Sequence, residues 1–404
     1  MYSTQPHVVV KVKERSAREF RLLVRLATKE SSVVPYSYIS FCPTFFFPFL
    51  LPSFSLSLPS HPPANMMMDL ANLIYNFDRQ QKNVGEEKKI KEEIMSYIVK
   101  DSMAPLYISL SEKYEWELDS AIVATMKTEN EKELELIKTK SDDAVANAGD
   151  MEVLDCMFDK ARYYSKIGNW KEAYDAYDLI LAKEKTSTGK KIDANMEIAK
   201  IALFCVDIPK LKAILSEAKR LNELGGDWDR RNRLKVYEAL YLLLTRDMKE
   251  ASKLLMDCVA TFTCTELCTY KQFMFYALLC SVITLNRNDL RKKVINDPHV
   301  ITIIRELSNV QSLINGIYNC DYKSFFQAIL TVHPEIMENR FLGPLSVYLV
   351  RELRVLAYAQ FLEAYKSVLF SSMATSFGIT PTLLDSELSR FIAAGRYVLC
   401  IQCI

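Results

Sequence analysis

The sequence predicts an all-α protein in which a solenoid of tetratricopeptide-like helical repeats is followed by a C-terminal winged-helix module. The chain of 404 residues has only 10 glycines, and its long charged segments carry apolar residues at spacings of three and four. A helical-hairpin pattern recurs at intervals of about 38–40 residues from Met151 onward. The final segment has a helix–turn–helix–strand order, which is the outline of a winged helix.

Composition limits the classes of function. The 51 Lys and Arg residues nearly balance the 50 Asp and Glu residues, so the net charge is +1. A balance this close argues against a nucleic-acid protein that relies on phosphate attraction. The 10 cysteines are scattered along the chain, as in a reduced protein of the cytoplasm and nucleus. Cys264 and Cys268, and Cys400 and Cys403, have no second ligand pair at zinc spacing, so no metal site is predicted.

The N-terminal segment differs in composition from the rest. Eight of the 14 prolines occur by Pro63, and residues 31–68 contain no Asp, Glu, Lys or Arg. The prolines interrupt the apolar stretch that a membrane span would need. We therefore expect residues 1–65 to be a disordered or non-native extension outside the folded unit. A membrane-associating arm is the alternative.

Residues 66–150 are predicted to form an N-terminal helical region with a turn at Ala104-Pro105. Its last element, from Ser120 to about Lys140, alternates Glu and Lys around a few apolar residues. This pattern indicates a long helix with a solvated face.

Residues 151–344 are predicted to form the helical repeats. In ARYYSKIGNWKEAYDAYDLIL, Gly168-Asn169 makes the turn between two helices and a small side chain allows them to approach. The small residues assigned to this role in successive repeats are Ala173, Ala213 and Ala251. A weaker copy contains Tyr318, Tyr322 and Phe325. Hairpins of this kind stack because one pair alone cannot bury its apolar face.

Residues 345–404 are predicted to form the winged-helix module. Leu345 to Leu369 has the pattern of one long helix. Gly378 ends the next helix, and Thr380 with Pro381 begins another. Tyr397 to Ile404 has the pattern of a strand.

The most specific motif is GGDWDRRNRLKVYEALY, from Gly225 to Tyr241. Its glycines can end one helix and its aspartates can cap the next. The motif closely resembles the PCI-domain subunits of the 26S proteasome regulatory lid. Two further segments, MAPLYISLSEKYEWELD and SFGIT…LLDSELSRFIAAGR, are similar to the same family, and the resemblance covers roughly Asp69 to Arg396.

The resemblance implies a non-catalytic scaffold that supports lid assembly and ubiquitin-dependent protein degradation. The implied partners are other PCI-domain lid subunits and the lid deubiquitinase subunit, in a hetero-oligomeric complex. Members of the family continue with a further wing strand and a long helix, whereas this sequence ends in YVLCIQCI after Arg396. A truncated wing with an unpaired apolar edge is therefore expected.

Two candidate protein-interaction surfaces follow from the resemblance. One is a polar contact at the start of the Gly-Gly-Asp-Trp helix, and the other is an edge for neighbouring PCI modules within residues 380–397. The candidate residues are Asp227, Trp228, Asp229, Arg230, Arg231 and Arg233 at the first surface, and Thr380, Asp385, Glu387, Arg390 and Arg396 at the second.

Other functions are weighed against this reading. The PCI subunit of the COP9 signalosome has a similar build, so fold alone does not separate the two complexes. A nucleic-acid-binding winged-helix adaptor would need a basic recognition helix. The corresponding segment here carries two acidic residues, Asp385 and Glu387, and only one basic residue, Arg390. A membrane-tethered helical adaptor is a third reading. No nucleophile elbow, phosphate-binding glycine loop or metal-ligand cluster occurs in the sequence, so no enzyme, cofactor or small-molecule substrate is expected.

Overall fold

The computed structural model describes residues 8–12, 66–80, 84–147, 149–396 and 399–403. The chain divides into two compact units. Of the described residues, those from 66 to 357 form the helical unit, and those from 358 to 403 form the C-terminal unit together with residues 8–12. The sequence predicted a boundary at residue 345, but the units divide inside a helix, between Ala357 and Tyr358.

The helical unit begins with four helices, which lie within the predicted N-terminal helical region. Pro105 lies in the first turn of the third helix, where a backbone N–H would have no partner within the helix, so its absence does not destabilise the helix. The fourth is the charged helix and extends beyond the predicted Lys140 to Asn147. These helices are α1 (Met66–Gln80), α2 (Val84–Lys100), α3 (Ala104–Tyr114) and α4 (Ser120–Asn147).

Antiparallel helical hairpins follow, and the two helices of each hairpin pack directly on one another. The hairpins are α5 (Asp150–Ile167) with α6 (Trp170–Ala182), α7 (Thr188–Cys205) with α8 (Ile208–Gly225), α9 (Trp228–Leu244) with α10 (Met248–Cys258), and α14 (Ser308–Tyr318) with α15 (Tyr322–Glu338). Between the third and fourth hairpins lie α11 (Tyr270–Thr284), α12 (Arg287–Leu290), the π-helical turn Arg291–Ile295 and α13 (Pro298–Ile303). This succession confirms the predicted helical-repeat solenoid.

The four hairpins share one turn. A residue with left-handed backbone angles ends the first helix, and an Asn or Asp side chain then caps the second. The turns are Gly168–Asn169, Val206–Asp207, Arg246–Asp247 and Cys320–Asp321. In each turn the cap residue's own N–H donates to a carbonyl five residues earlier, at 2.9–3.0 Å, which closes the helix end.

The Asn or Asp caps identify equivalent positions in the four hairpins more reliably than the small residues do. The residue four places after each cap is fully buried: Ala173, Leu211, Ala251 and Phe325. Ala213 was predicted to occupy this position in the second repeat, and that prediction is wrong because Ala213 is exposed and Leu211 fills the place. The interface accepts Leu or Phe as well as Ala, so residue size does not mark the register.

The C-terminal unit contains helices and a small sheet. A predicted single helix over Leu345–Leu369 is wrong: α16 (Ser346–Glu363) ends early, and Ser367–Leu369 is strand β2. Strand pairing fixes this segment, so the tertiary contact overrides the helical pattern. The remaining elements are α17 (Phe370–Phe377), α18 (Pro381–Ala393) and β3 (Leu399–Cys403). Gly378 and Thr380 end α17 and cap α18 as predicted.

The sheet contains an element that the sequence did not predict. Val8–Val12 forms β1, and the strand order is β2-β1-β3 with both pairings antiparallel. The expectation that residues 1–65 lie outside the folded unit therefore does not hold for this pentapeptide, whose valines favour a strand. Residues 13–65 lie outside the described part of the chain. The predicted unpaired wing strand, β3, is paired with β1 along one side.

Tyr358, Phe377 and Phe391 form the aromatic centre of the C-terminal unit, with ring centroids of Tyr358 and Phe377 4.8 Å apart. Leu384 and Leu388 complete its core from α18. Among the described residues of the whole chain, no helix has the length and hydropathy that a membrane span requires.

Candidate protein-interaction site

The Gly-Gly-Asp-Trp motif forms the corner between α8 and α9. The N–H of Gly226 closes the end of α8 by donating to the Asn222 carbonyl at 2.9 Å. Asp227 is the N-cap of α9, and its Oδ1 accepts from the Trp228 N–H at 2.7 Å. The predicted helix end and cap are thus present, and Asp229 adds a favourable acidic group to the first turn.

Arg230 is committed to a contact inside the protein. Its Nε and Nη2 donate to the two carboxylate oxygens of Asp193 on α7, at 2.9 and 2.8 Å. This bidentate pair raises the pKa of Arg230 above its ordinary value, against the opposing effect of burial. Arg230 therefore joins α9 to α7 and does not offer a free guanidinium to a partner.

Arg233 is also committed inside the protein. Its Nη2 donates to Glu266 at 2.6 Å, and the Tyr237 hydroxyl donates to the other oxygen of the same carboxylate at 2.8 Å. Burial lowers the pKa of Arg233, but the hydrogen bond and charge of Glu266 outweigh it and hold the pKa above its ordinary value. These bonds fix the loop before α11 to α9.

Three residues at the start of α9 face solvent, whereas Asp229 is half-buried and most of the apolar residues later in the motif are buried. Trp228 is 59% exposed, Arg231 and Asp227 are exposed, and Leu224 at the end of α8 is 68% exposed. We call Leu224, Asp227, Trp228 and Arg231 the corner patch. Trp and Arg are residue types that are enriched in protein-binding hot spots, and the exposed Leu224 adds apolar area beside them.

The second candidate surface, on α18, also contains both exposed residues and residues that make contacts inside the protein. Asp385, Arg390 and Arg396 are exposed. Glu387 is only 7% exposed and accepts a hydrogen bond from the Tyr358 hydroxyl at 2.7 Å, so it belongs to the core of the unit. Thr380 is exposed but its hydroxyl caps α18, accepting from the Leu383 N–H at 3.4 Å.

Sequence reasoning missed the acidic partners Asp193 and Glu266. They lie 37 and 33 residues from the arginines they bind, which is close to one repeat. A search for opposite charges about one repeat apart would have found the Arg230–Asp193 pair, because equivalent positions of adjacent hairpins are neighbours in a solenoid. Glu266 lies in the loop before α11, outside the hairpins, so no repeat spacing points to it.

Within the described ranges, no group of three or more His, Cys, Asp or Glu side chains is arranged to hold a metal ion. Cys264 and Cys268 are buried in the helical unit. Burial raises the pKa of the Cys268 thiol to about 12, so this side chain remains protonated at neutral pH.

Stacked helical hairpins that lead into a winged-helix unit define the PCI class of helical scaffold, and residues 328–396 match the PCI domain. Residues 119–293 match the family described as 26S proteasome subunit RPN7. The chain belongs to this family, which confirms the resemblance inferred from the Gly-Gly-Asp-Trp motif.

Curated relatives cover most of the chain. The 26S proteasome non-ATPase regulatory subunit 6 homolog of Arabidopsis thaliana is 38% identical over 328 residues, which are 81% of this chain and 84% of that protein. The rice (Oryza sativa) subunit 6 is 39% identical over 76% of this chain and 79% of its own length. The Saccharomyces cerevisiae 26S proteasome regulatory subunit RPN7 is 32% identical over 77% of this chain and 78% of its own length.

Proposed function

We propose that this chain is a non-catalytic scaffold subunit of the 26S proteasome regulatory lid, which supports lid assembly and ubiquitin-dependent protein degradation. The observation that carries the proposal is the 38% identity to a named proteasome regulatory subunit over 81% of the chain. The family matches include both the helical repeats and the PCI domain. The relatives are named non-ATPase subunits, in agreement with a non-catalytic role.

The partners in this proposal are other PCI-domain lid subunits and the lid deubiquitinase subunit, in the cytoplasm and nucleus. The corner patch and the exposed charges of α18 are the proposed contact surfaces. The corner patch supplies aromatic and aliphatic area with one guanidinium, and α18 supplies Asp385 and Arg390 for polar pairing at a rim. Arg230, Arg233 and Glu387 stabilise the elements that carry these surfaces.

Affinity purification of the tagged full chain, with quantitative mass spectrometry, tests the proposal. We expect the wild type to retain lid subunits, and the double variant Trp228→Ala, Arg231→Glu to retain at least about tenfold less of them, as for loss of a hot spot. Leu136→Ala with Lys138→Glu is the matched control, because it changes an exposed Leu and an exposed Lys on α4. Equal recovery with all three proteins would remove the corner patch from the interface.

A second double variant tests the proposed contact surface on α18. Asp385→Arg with Arg390→Glu reverses two exposed charges and leaves the buried Leu384 and Leu388 unchanged. We expect selective loss of PCI-domain neighbours with normal thermal unfolding of the isolated chain. Recovery of signalosome subunits with the wild-type chain in place of proteasome subunits would contradict the proposed complex.

A further inference from the structure

We propose that β2 and β3 form the two walls of a slot for one extended strand, and that the N-terminal segment Val8–Val12 occupies this slot within the same chain. The C-terminal unit is then completed by strand insertion. This inference goes beyond the scaffold role, because it concerns how the winged-helix unit is closed.

The register shows that the inserted segment is central. Val10 pairs with Val368 of β2 on one side and with Ile401 of β3 on the other. All five residues of β1 have partners on β3, from Val8 opposite Cys403 to Val12 opposite Leu399. Three of them also have partners on β2.

The two walls depend on the insert for their pairing. In the described sheet, β2 and β3 are neighbours of β1 and not of each other. Adjacent strands lie about 4.8 Å apart, so β2 and β3 are separated by two spacings, roughly 9–10 Å. Without β1 the facing N–H and C=O groups of both strands lose their partners, which is costly for a backbone beside a packed core.

The sequence of the segment suits a central strand. Four of the five residues in VVVKV are valine, the stretch contains no Gly or Pro, and Pro6 lies just before it. A strand that is paired along both sides excludes Pro from its interior and favours β-branched residues. The segment also lies beside α17, the helix that directly follows β2.

The mode of recognition is β-strand addition, in which main-chain hydrogen bonds hold an extended peptide. Residues 8–12 are covalently tethered to the unit they complete, so their local concentration exceeds that of a free peptide. For this reason the slot is assigned to the chain's own segment and not to a second copy.

Hydrogen exchange of the full chain, read by mass spectrometry, tests the assignment. Deletion of residues 2–12, and separately Val10→Pro, should speed exchange of the amides in Ser367–Leu369 and Leu399–Cys403 at least about tenfold. Proline removes a ladder donor and fixes a backbone angle that a central strand does not adopt. Val10→Ile, which keeps the backbone N–H and a β-branched side chain at the same position, is the control and should match the wild type. The helices of residues 66–357 should exchange as before in every variant.

A synthetic peptide of residues 6–13 provides the second measurement. Added to the deletion variant, the peptide should restore the protection of both wall strands, even if the deletion loosens all of residues 358–403. Unchanged exchange in the deletion and Val10→Pro variants, or a loss that the peptide does not reverse, would overturn the proposal. Protection that appears only in a dimer fraction would assign the strand to a second copy and contradict insertion within one chain.

Discussion

Among the described residues with left-handed backbone angles, Val206 is the one with a β-branched side chain, the type least suited to that conformation. Its φ is 57°, in the left-handed region, and its side chain is exposed. Gly168 performs the same turn in the first hairpin with a φ of 80° and no side-chain penalty. The N–H of Asp207 still reaches the Ala202 carbonyl at 2.9 Å, so the hairpin imposes the turn on an unfavourable residue.

Replacing this valine with glycine should stabilise the protein. The left-handed conformation costs a β-branched residue about 1–2 kcal/mol, and glycine loses about 0.5–1 kcal/mol through its freer unfolded chain. We expect Val206→Gly to raise the free energy of unfolding by about 0.5–1 kcal/mol, measured by thermal unfolding with circular dichroism. Val145→Gly, an exposed valine inside α4, is the control and should lower it. A lower unfolding midpoint for Val206→Gly would refute the strain argument.

Glu197 gives a pH-dependent prediction. Burial raises its pKa above the usual 4.5, against the opposing charges of Lys200 and Arg162, whose Nε lies 3.9 Å from the carboxylate. The native protein therefore holds this proton to higher pH than the unfolded chain does. Its contribution to the free energy of unfolding falls as pH rises from about 4.5 through the folded pKa.

Glu197→Gln removes this titration and keeps the shape of the side chain. The free energy of unfolding of the variant, minus that of the wild type, should increase with pH across the same window. Urea unfolding at several pH values above and below 4.5 provides the measurement. A difference that stays constant would show that folding does not shift the pKa of Glu197, and one that decreases with pH would show that the charged carboxylate is stabilised; either result would contradict the prediction.

At the scale of elements, ion pairs join equivalent helices of adjacent hairpins. Lys190 of α7 contacts Asp155 of α5 at 2.7 Å, and Arg230 of α9 contacts Asp193 of α7 at 2.8 Å. Exposed pairs of this kind contribute little free energy, whereas the half-buried bidentate pair of Arg230 also fixes geometry. Part of the Gly-Gly-Asp-Trp motif thus stabilises the stack of hairpins, and part of it is exposed on the surface.

The α14–α15 hairpin depends on one close approach. A Cβ added to Gly316 would lie 2.9 Å from the Cα of Phe325, which is backbone and cannot yield by rotation. We expect Gly316→Ala to destabilise the protein by about 1–3 kcal/mol, as overpacking does, despite the better helix propensity of Ala. Gly85→Ala is the matched control, because an added Cβ there meets nothing within 4 Å. Guanidinium unfolding of both variants provides the measurement. Equal unfolding midpoints for Gly316→Ala and Gly85→Ala would refute the close packing of Gly316 on Phe325.

At the scale of the molecule, arginines connect distant parts of the helical unit. Arg340, which follows α15, is buried and donates from Nη2 to the carbonyl of Leu203 at the end of α7. Its guanidinium also lies 5.2 Å from the ring centroid of Phe341. Arg79 of α1 donates to the carbonyl of Met337. The Arg79 contact joins the start of the unit to the end of the last hairpin, and the Arg340 contact joins the segment after that hairpin to α7.

Removing the Arg340 side chain should weaken the contact between α7 and the segment after α15, and so destabilise the helical unit. Burial lowers its pKa to about 10, yet the group stays charged at neutral pH and satisfies a helix carbonyl. Arg340→Ala should lower the free energy of unfolding by about 2–4 kcal/mol, because the hydrogen bond is lost and the missing side chain leaves a cavity. Arg220→Ala is the control, because Arg220 pairs with Glu217 on the surface and its loss should change stability little. Equal unfolding midpoints for the two variants would contradict a structural role for Arg340.

Local patterns in the sequence predicted the elements well wherever the chain itself supplies the physical cause. The turn at Gly168-Asn169, the helix end at Gly378 and the cap at Thr380 are such cases. The candidate surfaces were predicted less well. Arg230 and Glu387 have the residue types of surface contacts, but their partners come from other helices and only the fold reveals them.

The sequence by itself determined the helical repeats, the winged-helix outline and the family, because periodicity, caps and a long specific motif are carried by consecutive residues. Only the tertiary structure decided which charged residues are internal, why Ser367–Leu369 is a strand, and where Val8–Val12 pairs. Those outcomes depend on contacts between segments that lie from about thirty to several hundred residues apart, and no local pattern encodes which partner a side chain or a strand will meet.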